Sequence, residues 1–98
     1  MRRGTTEIKS IKIDGAIDIS NVEKAVMTIA QGPTMIHSEV SLNDDGSGMC
    51  AFTPEQTINL RLGSCKEQIK FLTKDGMVLA TDIIYDIVDG DILNEEGF

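Results

Sequence analysis

Cys50, Cys65 and His37 are the residues of this chain whose types could form a nucleophile and its base. A Cys–His dyad needs a thiol made reactive by a neighbouring imidazole, and a third group that orients the imidazole. The flanks supply no nucleophile elbow, no glycines for an oxyanion loop and no orienting group. On the residues alone, His37 reads as a surface strand residue. The cysteines read as small buried apolar groups in a reducing compartment. A disulfide between them remains open if their strands pair. A structural zinc would want four ligands, which two cysteines and one histidine do not make. No catalytic residue, metal site or cofactor is expected.

The acids invite calcium. Asp89-Gly90-Asp91 supplies the first and third positions of a calcium loop, but Leu93 and Asn94 stand where an acid and a glycine are needed. Asn43-Asp44-Asp45-Gly46 lacks the later bidentate glutamate. Both read as plain turns. The late acids Asp82, Asp86, Asp89, Asp91, Glu95 and Glu96 read as a solvated last strand and a tail. Sixteen acidic residues against nine basic ones leave a formal charge of −7. That balance opposes phosphate backbones, and Arg2-Arg3 is the one basic pair, so nucleic acid is not an expected partner. The four aromatics, Phe52, Phe71, Tyr85 and Phe98, are too few for a stacking platform.

The elements that would position these residues are mostly strands. Thr73-Lys74-Asp75-Gly76-Met77 is the strongest local signal, because Asp-Gly between β-rich runs supplies the φ > 0 that a hairpin turn requires. It joins Lys66–Thr73 to Met77–Val88. Alternation in the second arm is imperfect, and a bulge or bend near Thr81-Asp82 would repair it. Glu7–Ile13, Ala25–Gln31, Met35–Leu42 and Gly48–Thr53 read as earlier strands, with Ile36, Ser38, Val40 and Leu42 on the apolar side of the third. Ser20 or Asn21 could cap a short helical turn through Val22–Lys24. Thr53-Pro54-Glu55-Gln56 is a helix start, a threonine cap followed by proline, expected to last one turn to about Ile58. The alternation of Ile58, Leu60 and Leu62 then suggests another extended piece.

Ninety-eight residues, 41% of them apolar, suit one small domain. The expected fold is all-β: an immunoglobulin-like antiparallel β-sandwich of six to eight strands, with one or two short helical turns, over residues 1–88. Its core would be aliphatic, with Phe52 and Phe71. Residues 89–98 would form a loosely ordered acidic tail. No apolar run approaches the ~18 residues of a membrane span. Met1-Arg2-Arg3 is basic, but Gly4–Lys12 is too polar for a signal peptide's core. A cytoplasmic chain without a membrane partner is expected.

Met1-Arg2-Arg3-Gly4-Thr5-Thr6, Ala30-Gln31, Thr53-Pro54-Glu55-Gln56-Thr57-Ile58 and Ile69-Lys70-Phe71-Leu72-Thr73-Lys74-Asp75-Gly76 carry a resemblance by their order and spacing. From Met1 to about Val88 the chain resembles short proteins encoded in tail modules of phages and prophages of Gram-positive bacteria. It is also similar to the amino-terminal, immunoglobulin-like domain of siphophage baseplate upper proteins. Glu7 departs from the pattern, since relatives often carry proline there. The resemblance implies a non-enzymatic structural or adaptor subunit of a tail or baseplate. Its partners would be other tail proteins or copies of itself. It would reside in the host cytoplasm during assembly and then in the virion tail. Arg2, Arg3, Gly4, Thr5 and Thr6 are the matching positions for an assembly contact. The alternative is an independent module binding host-wall carbohydrate or calcium, with Tyr85 and Phe98 as the aromatics outside the core.

Overall fold

The computed structural model describes residues 1–13 and 17–90. The strands are β1 (Glu7–Lys12), β2 (Val22–Gln31), β3 (Thr34–Glu39), β4 (Ser41–Leu42), β5 (Ser47–Phe52), β6 (Gly63–Thr73), β7 (Val78–Ala80) and β8 (Ile84–Val88). All their pairings are antiparallel, in a small sheet ordered β1-β5-β4 and a large one ordered β3-β2-β6-β7, with β8 also on β6. The expected all-β sandwich is what forms.

Alternation builds its core. Ala25, Met27 and Ile29 of β2 and Cys65, Ile69 and Phe71 of β6 point inward from the large sheet, and Cys50 and Phe52 of β5 from the small one. Phe52, Phe71, Ile29 and Leu60 are wholly buried.

The stretch 35–42 has the expected inward set, but it is not one strand of one sheet. Its first part, β3, pairs with β2, and β4 pairs with β5. Between them Val40 N donates to Ala25 O at 2.8 Å. One extended segment therefore crosses from the large sheet to the small one and closes that side of the sandwich. On the opposite side, β1 faces β7 and β8 across a gap.

Strand β6 is long enough to carry two partners in tandem. Gly63–Glu67 pair with β8, and Lys70–Leu72 with β7. Between these ladders Gln68 and Ile69 of β6 stand opposite three residues, 81–83. This one-residue bulge is the one expected near Thr81-Asp82. Thr81 closes it, its N donating to Ile69 O at 2.9 Å while its Oγ1 accepts from Ile69 N at 3.0 Å. The extra residue exchanges the faces: Leu79 is inward on β7, whereas Asp86 and Val88 are inward on β8.

Local signals set the ends. In the β6–β7 hairpin Thr73 N donates to Met77 O at 2.9 Å, and Gly76 takes φ +89°, as the turn demands. Helix α1 (Pro54–Thr57) begins with a full capping box: Gln56 N donates to Thr53 Oγ1 at 3.2 Å and Thr53 N to Gln56 Oε1 at 2.9 Å. Gly46 takes φ +86°, and a Cβ there would lie 2.8 Å from Ile13 O, so only glycine fits where the β4–β5 turn meets the end of β1.

Two expectations need correction. Val22–Lys24 is the start of β2, and the helical turn lies earlier, as a 3₁₀ turn at Ile19–Asn21 capped by Asp18. Pairing of Val22 and Lys24 with Thr73 and Leu72 outweighs the local cap. Ile58–Leu62 is not extended. Ile58 N donates to Pro54 O and Leu60 N to Thr57 O, so the chain keeps turning; Leu60 enters the core while Ile58 and Leu62 stay exposed.

Candidate functional site

The gap between the two sheets holds the main cluster of charge. On β1 the inward parity is Glu7, Lys9, Ile11, so the strand turns two charges as well as an isoleucine toward the large sheet. There it meets Glu67 from β6 and Asp86 from β8, the latter turned inward by the bulge. Lys9 Nζ lies 2.8 Å from Asp86 Oδ2, 3.0 Å from Glu67 Oε2 and 3.6 Å from Glu7 Oε1. The ammonium donates a hydrogen bond to Asp86, whereas Glu67 Oε2 is buried and its contact with Lys9 is an ion pair off the hydrogen-bond axis. The reading of Asp86 as a solvated strand residue is thus wrong. The signal available was the shared parity of Glu7 and Lys9 with Ile11, together with the parity change at the bulge.

The electrostatics assign a role to each group. Burial alone would lower the Lys9 pKa, but the hydrogen bond to Asp86 and the adjoining carboxylate of Glu67 outweigh it and hold Lys9 protonated far into alkali. Burial disfavours the Asp86 carboxylate too, yet hydrogen bonds from Lys9 and Glu67 hold it ionised well below the usual range. Glu67 is pushed up, first by burial and then by sharing its proton with Asp86. Lys9 is therefore neither a base nor a nucleophile at neutral pH. Glu67 is the member able to take up a proton.

The raised Glu67 pKa has a defined sign. Its share of stability is full below its unfolded pKa and is lost as pH rises through its folded one. Asp86 acts oppositely, its share being lost as pH falls through its depressed pKa. Thermal unfolding is thus expected to show highest stability at mildly acid pH, with a decline toward neutrality. Glu67→Gln, which imitates the protonated acid, should flatten that decline. An unchanged slope in Glu67→Gln would exclude Glu67 as its source.

Beside the cluster, a cleft of about 550 Å³ opens between β1 and β6, with Ile11, Ile13, Met27, Ile69 and Phe71 among its walls. Lys9 and Glu67 stand at its polar end.

Neither sulfur is poised for chemistry. Cys50 and Cys65 are free and buried, on strands of different sheets that do not pair. Burial raises both thiols, so neither is activated. His37 faces out of β3, where it shares a 2.8 Å hydrogen bond with Thr28 Oγ1. A Cys–His dyad therefore does not form. The Asn43–Gly46 segment is a plain turn, with Asp45 Oδ1 accepting from Ser47 N at 3.0 Å and from Ser47 Oγ at 2.6 Å. Among the described residues no group of three or more His, Cys, Asp or Glu side chains is arranged to hold a metal ion. Asp91 and the rest of the acidic tail, Phe98 included, lie outside the described residues.

The Arg2–Thr6 segment is tied to its own chain. Arg2 pairs with Asp89 in a parallel bridge, Asp89 N donating to Met1 O at 2.7 Å and Arg3 N to Asp89 O at 2.9 Å. Arg2 Nη1 donates to Gly90 O at 2.8 Å and Arg3 Nε to Leu60 O at 2.7 Å. Thr5 Oγ1 donates to Arg2 O, and Thr57 Oγ1 to Thr5 O. Gly4 takes φ +78°, and Thr6 is exposed. These bonds cover the C-terminal end of β8.

Most exposed apolar surface lies elsewhere. Val78, Ile83, Tyr85 and Ile87 emerge along the β7–β8 side, Tyr85 at 69% and Val78 at 66% exposure, with Ile84 at the mouth of the cleft. Sequence reading placed these residues in the last arm but did not single out the strip, since its two parts share a face only through the bulge.

No family model matches the chain, and comparison with curated proteins and with solved structures found no match.

Proposed function

We propose that this chain is a non-enzymatic structural or adaptor subunit of a phage or prophage tail or baseplate, working through protein–protein contacts. The observation that carries the assembly role is the exposed strip of Val78, Ile83, Tyr85 and Ile87. A row of exposed apolar side chains along one edge of a sheet is surface that association would cover. The strip borders a strand whose outer edge is covered only toward its end, by Met1–Arg3, leaving Ile84–Asp86 open to a neighbour's backbone. The phage setting rests on the resemblance of Met1–Thr6, Thr53–Ile58 and Ile69–Gly76. A tail partner would meet this strip, with Arg2 and Arg3 holding the adjoining terminus in place. The alternative of a module for carbohydrate or calcium has less support: Tyr85 is the one exposed aromatic among the described residues.

The test is incorporation into particles. Wild-type chain should be found by quantitative mass spectrometry in gradient-purified particles, in fixed proportion to tail proteins. Tyr85→Asp with Ile87→Asp should lower incorporation ~10-fold, corresponding to a loss of about 1.4 kcal/mol, while thermal unfolding of the isolated chain stays near wild type. Unaltered incorporation of the double variant would overturn the assignment of this surface.

A further inference from the structure

The outer face of the large sheet joins the apolar strip to a concentration of positive charge. In register, Lys24 stands beside Leu72, Lys70 beside Val26 and Ala80, and Lys66 beside Ala30 and Tyr85. Glu39, opposite Val26, is the acid in these rows. Acids outnumber bases sixteen to nine in this chain, yet the ion pairs among the described residues involve Lys9 and Lys12, not these three lysines. Two shallow grooves flank Lys70. One, of about 300 Å³, runs past Lys24, Val26, Leu72 and Val78. The other, of about 280 Å³, runs past Lys66, Ala30, Met35 and Ile83.

From this arrangement we infer that the partner docks an acidic segment bearing aliphatic side chains across the outer face of β2 and β6. Its carboxylates pair with Lys24, Lys66 and Lys70, and its apolar side chains enter the two grooves. The inference rests on the reading of the chain as an assembly subunit and specifies the chemistry of what it assembles with. A protein segment is favoured over a nucleic acid because Val26, Leu72 and Val78 line one groove and Ala30, Met35 and Ile83 the other, walls that aliphatic side chains fill and a phosphate backbone does not. Charge on such a face selects the partner and speeds encounter, while the apolar pockets hold it.

The experiment is an NMR titration of the isotopically labelled full chain with a short capped peptide alternating glutamate and valine. Parallel titrations use its lysine–valine counterpart and an oligothymidylate. Amide shifts should centre on Thr28, His37, Lys66 and Lys70 with the glutamate peptide and weaken at high salt. Lys66→Glu with Lys70→Glu, both exposed and expected to leave folding intact, should weaken binding ~10-fold. Absence of shifts on this face, equal binding of the lysine peptide, or preferential binding of the oligonucleotide would each overturn the inference. Particle incorporation separates the two proposals. If the Tyr85/Ile87 variant is excluded while the Lys66/Lys70 variant enters normally, the acidic partner is wrong and the assembly role stands.

Discussion

Lys9→Met is expected to destabilise the chain by about 2 kcal/mol at neutral pH, between the values for exposed and for fully buried ion pairs, since the pair is partly buried. Methionine keeps most of the apolar stem, so the loss reports the charge. Without the ammonium, Glu7, Glu67 and Asp86 face one another with no cation between them, and the Glu67 side chain is only 10% exposed. The surviving carboxylates must take up protons on folding. The deficit relative to wild type should therefore shrink as pH falls below the ordinary carboxylate range, where the unfolded chain is protonated as well. It should be largest between the carboxylate range and the ordinary lysine pKa and shrink again in alkali, because the share due to Lys9 is full below its unfolded pKa and is lost as pH rises through its raised folded one. Urea unfolding across this range measures both. Glu67→Gln with Asp86→Asn in the Lys9→Met background should recover part of the loss, by removing the charges left unpaired. A single-variant loss below about 1 kcal/mol would place the cluster among surface ion pairs, which contribute little.

Phe52→Ala should cost about 4 kcal/mol, in the range for emptying a buried aromatic site. Phe52 is wholly buried, on the inward parity of the central strand of the small sheet and paired with Glu7 of β1. Its pairing with β1 and its complete burial between the sheets fix its surroundings, leaving the space little freedom to collapse. A domain of this size has about 5–15 kcal/mol of total stability, so the variant should be marginal or unfolded at physiological temperature. Denaturant midpoints for Phe52→Ala and the milder Phe52→Leu give the measurement. Equal midpoints would mean that the core does not register the lost volume. The ion cluster and the aromatic core act at different places between the sheets. Lys9 pins the edge strand β1 across the open side, while Phe52 anchors the closed interior.

The inward-pointing charges have a second consequence. An edge strand with charges turned toward the core resists pairing with foreign strands. Here Lys9 and Asp86 occupy the inner side of the gap, and Met1–Arg3 cover the end of β8. What remains open is the Ile84–Asp86 stretch of the β8 edge and the outer face, with Val78, Tyr85 and Ile87 beside Lys66 and Lys70. The partner proposed above would meet a face that combines apolar contact with charge.

Features decided by near neighbours were legible in the chain itself. Asp75-Gly76 marked the hairpin because the turn needs a residue free to take positive φ, and Thr53-Pro54-Glu55-Gln56 marked α1 because its own side chains satisfy the first backbone donors. Alternation over 35–42 identified the inward residues, and its failure after Val78 located the bulge at Thr81. Each of these is a constraint among residues a few positions apart. Long-range pairing decided the rest. That residues 35–42 divide between two sheets at Val40, that β6 carries β7 and β8 in tandem, and that Val22–Lys24 extend rather than coil all depend on distant strands taking up backbone hydrogen bonds. Lys9, Glu67 and Asp86 lie far apart in sequence, and each looks like an ordinary surface charge on its own strand. Only closure of the sandwich brings them within ion-pair distance, and only there do the bonds from Lys9 and Glu67 hold the Asp86 pKa down while burial pushes that of Glu67 up.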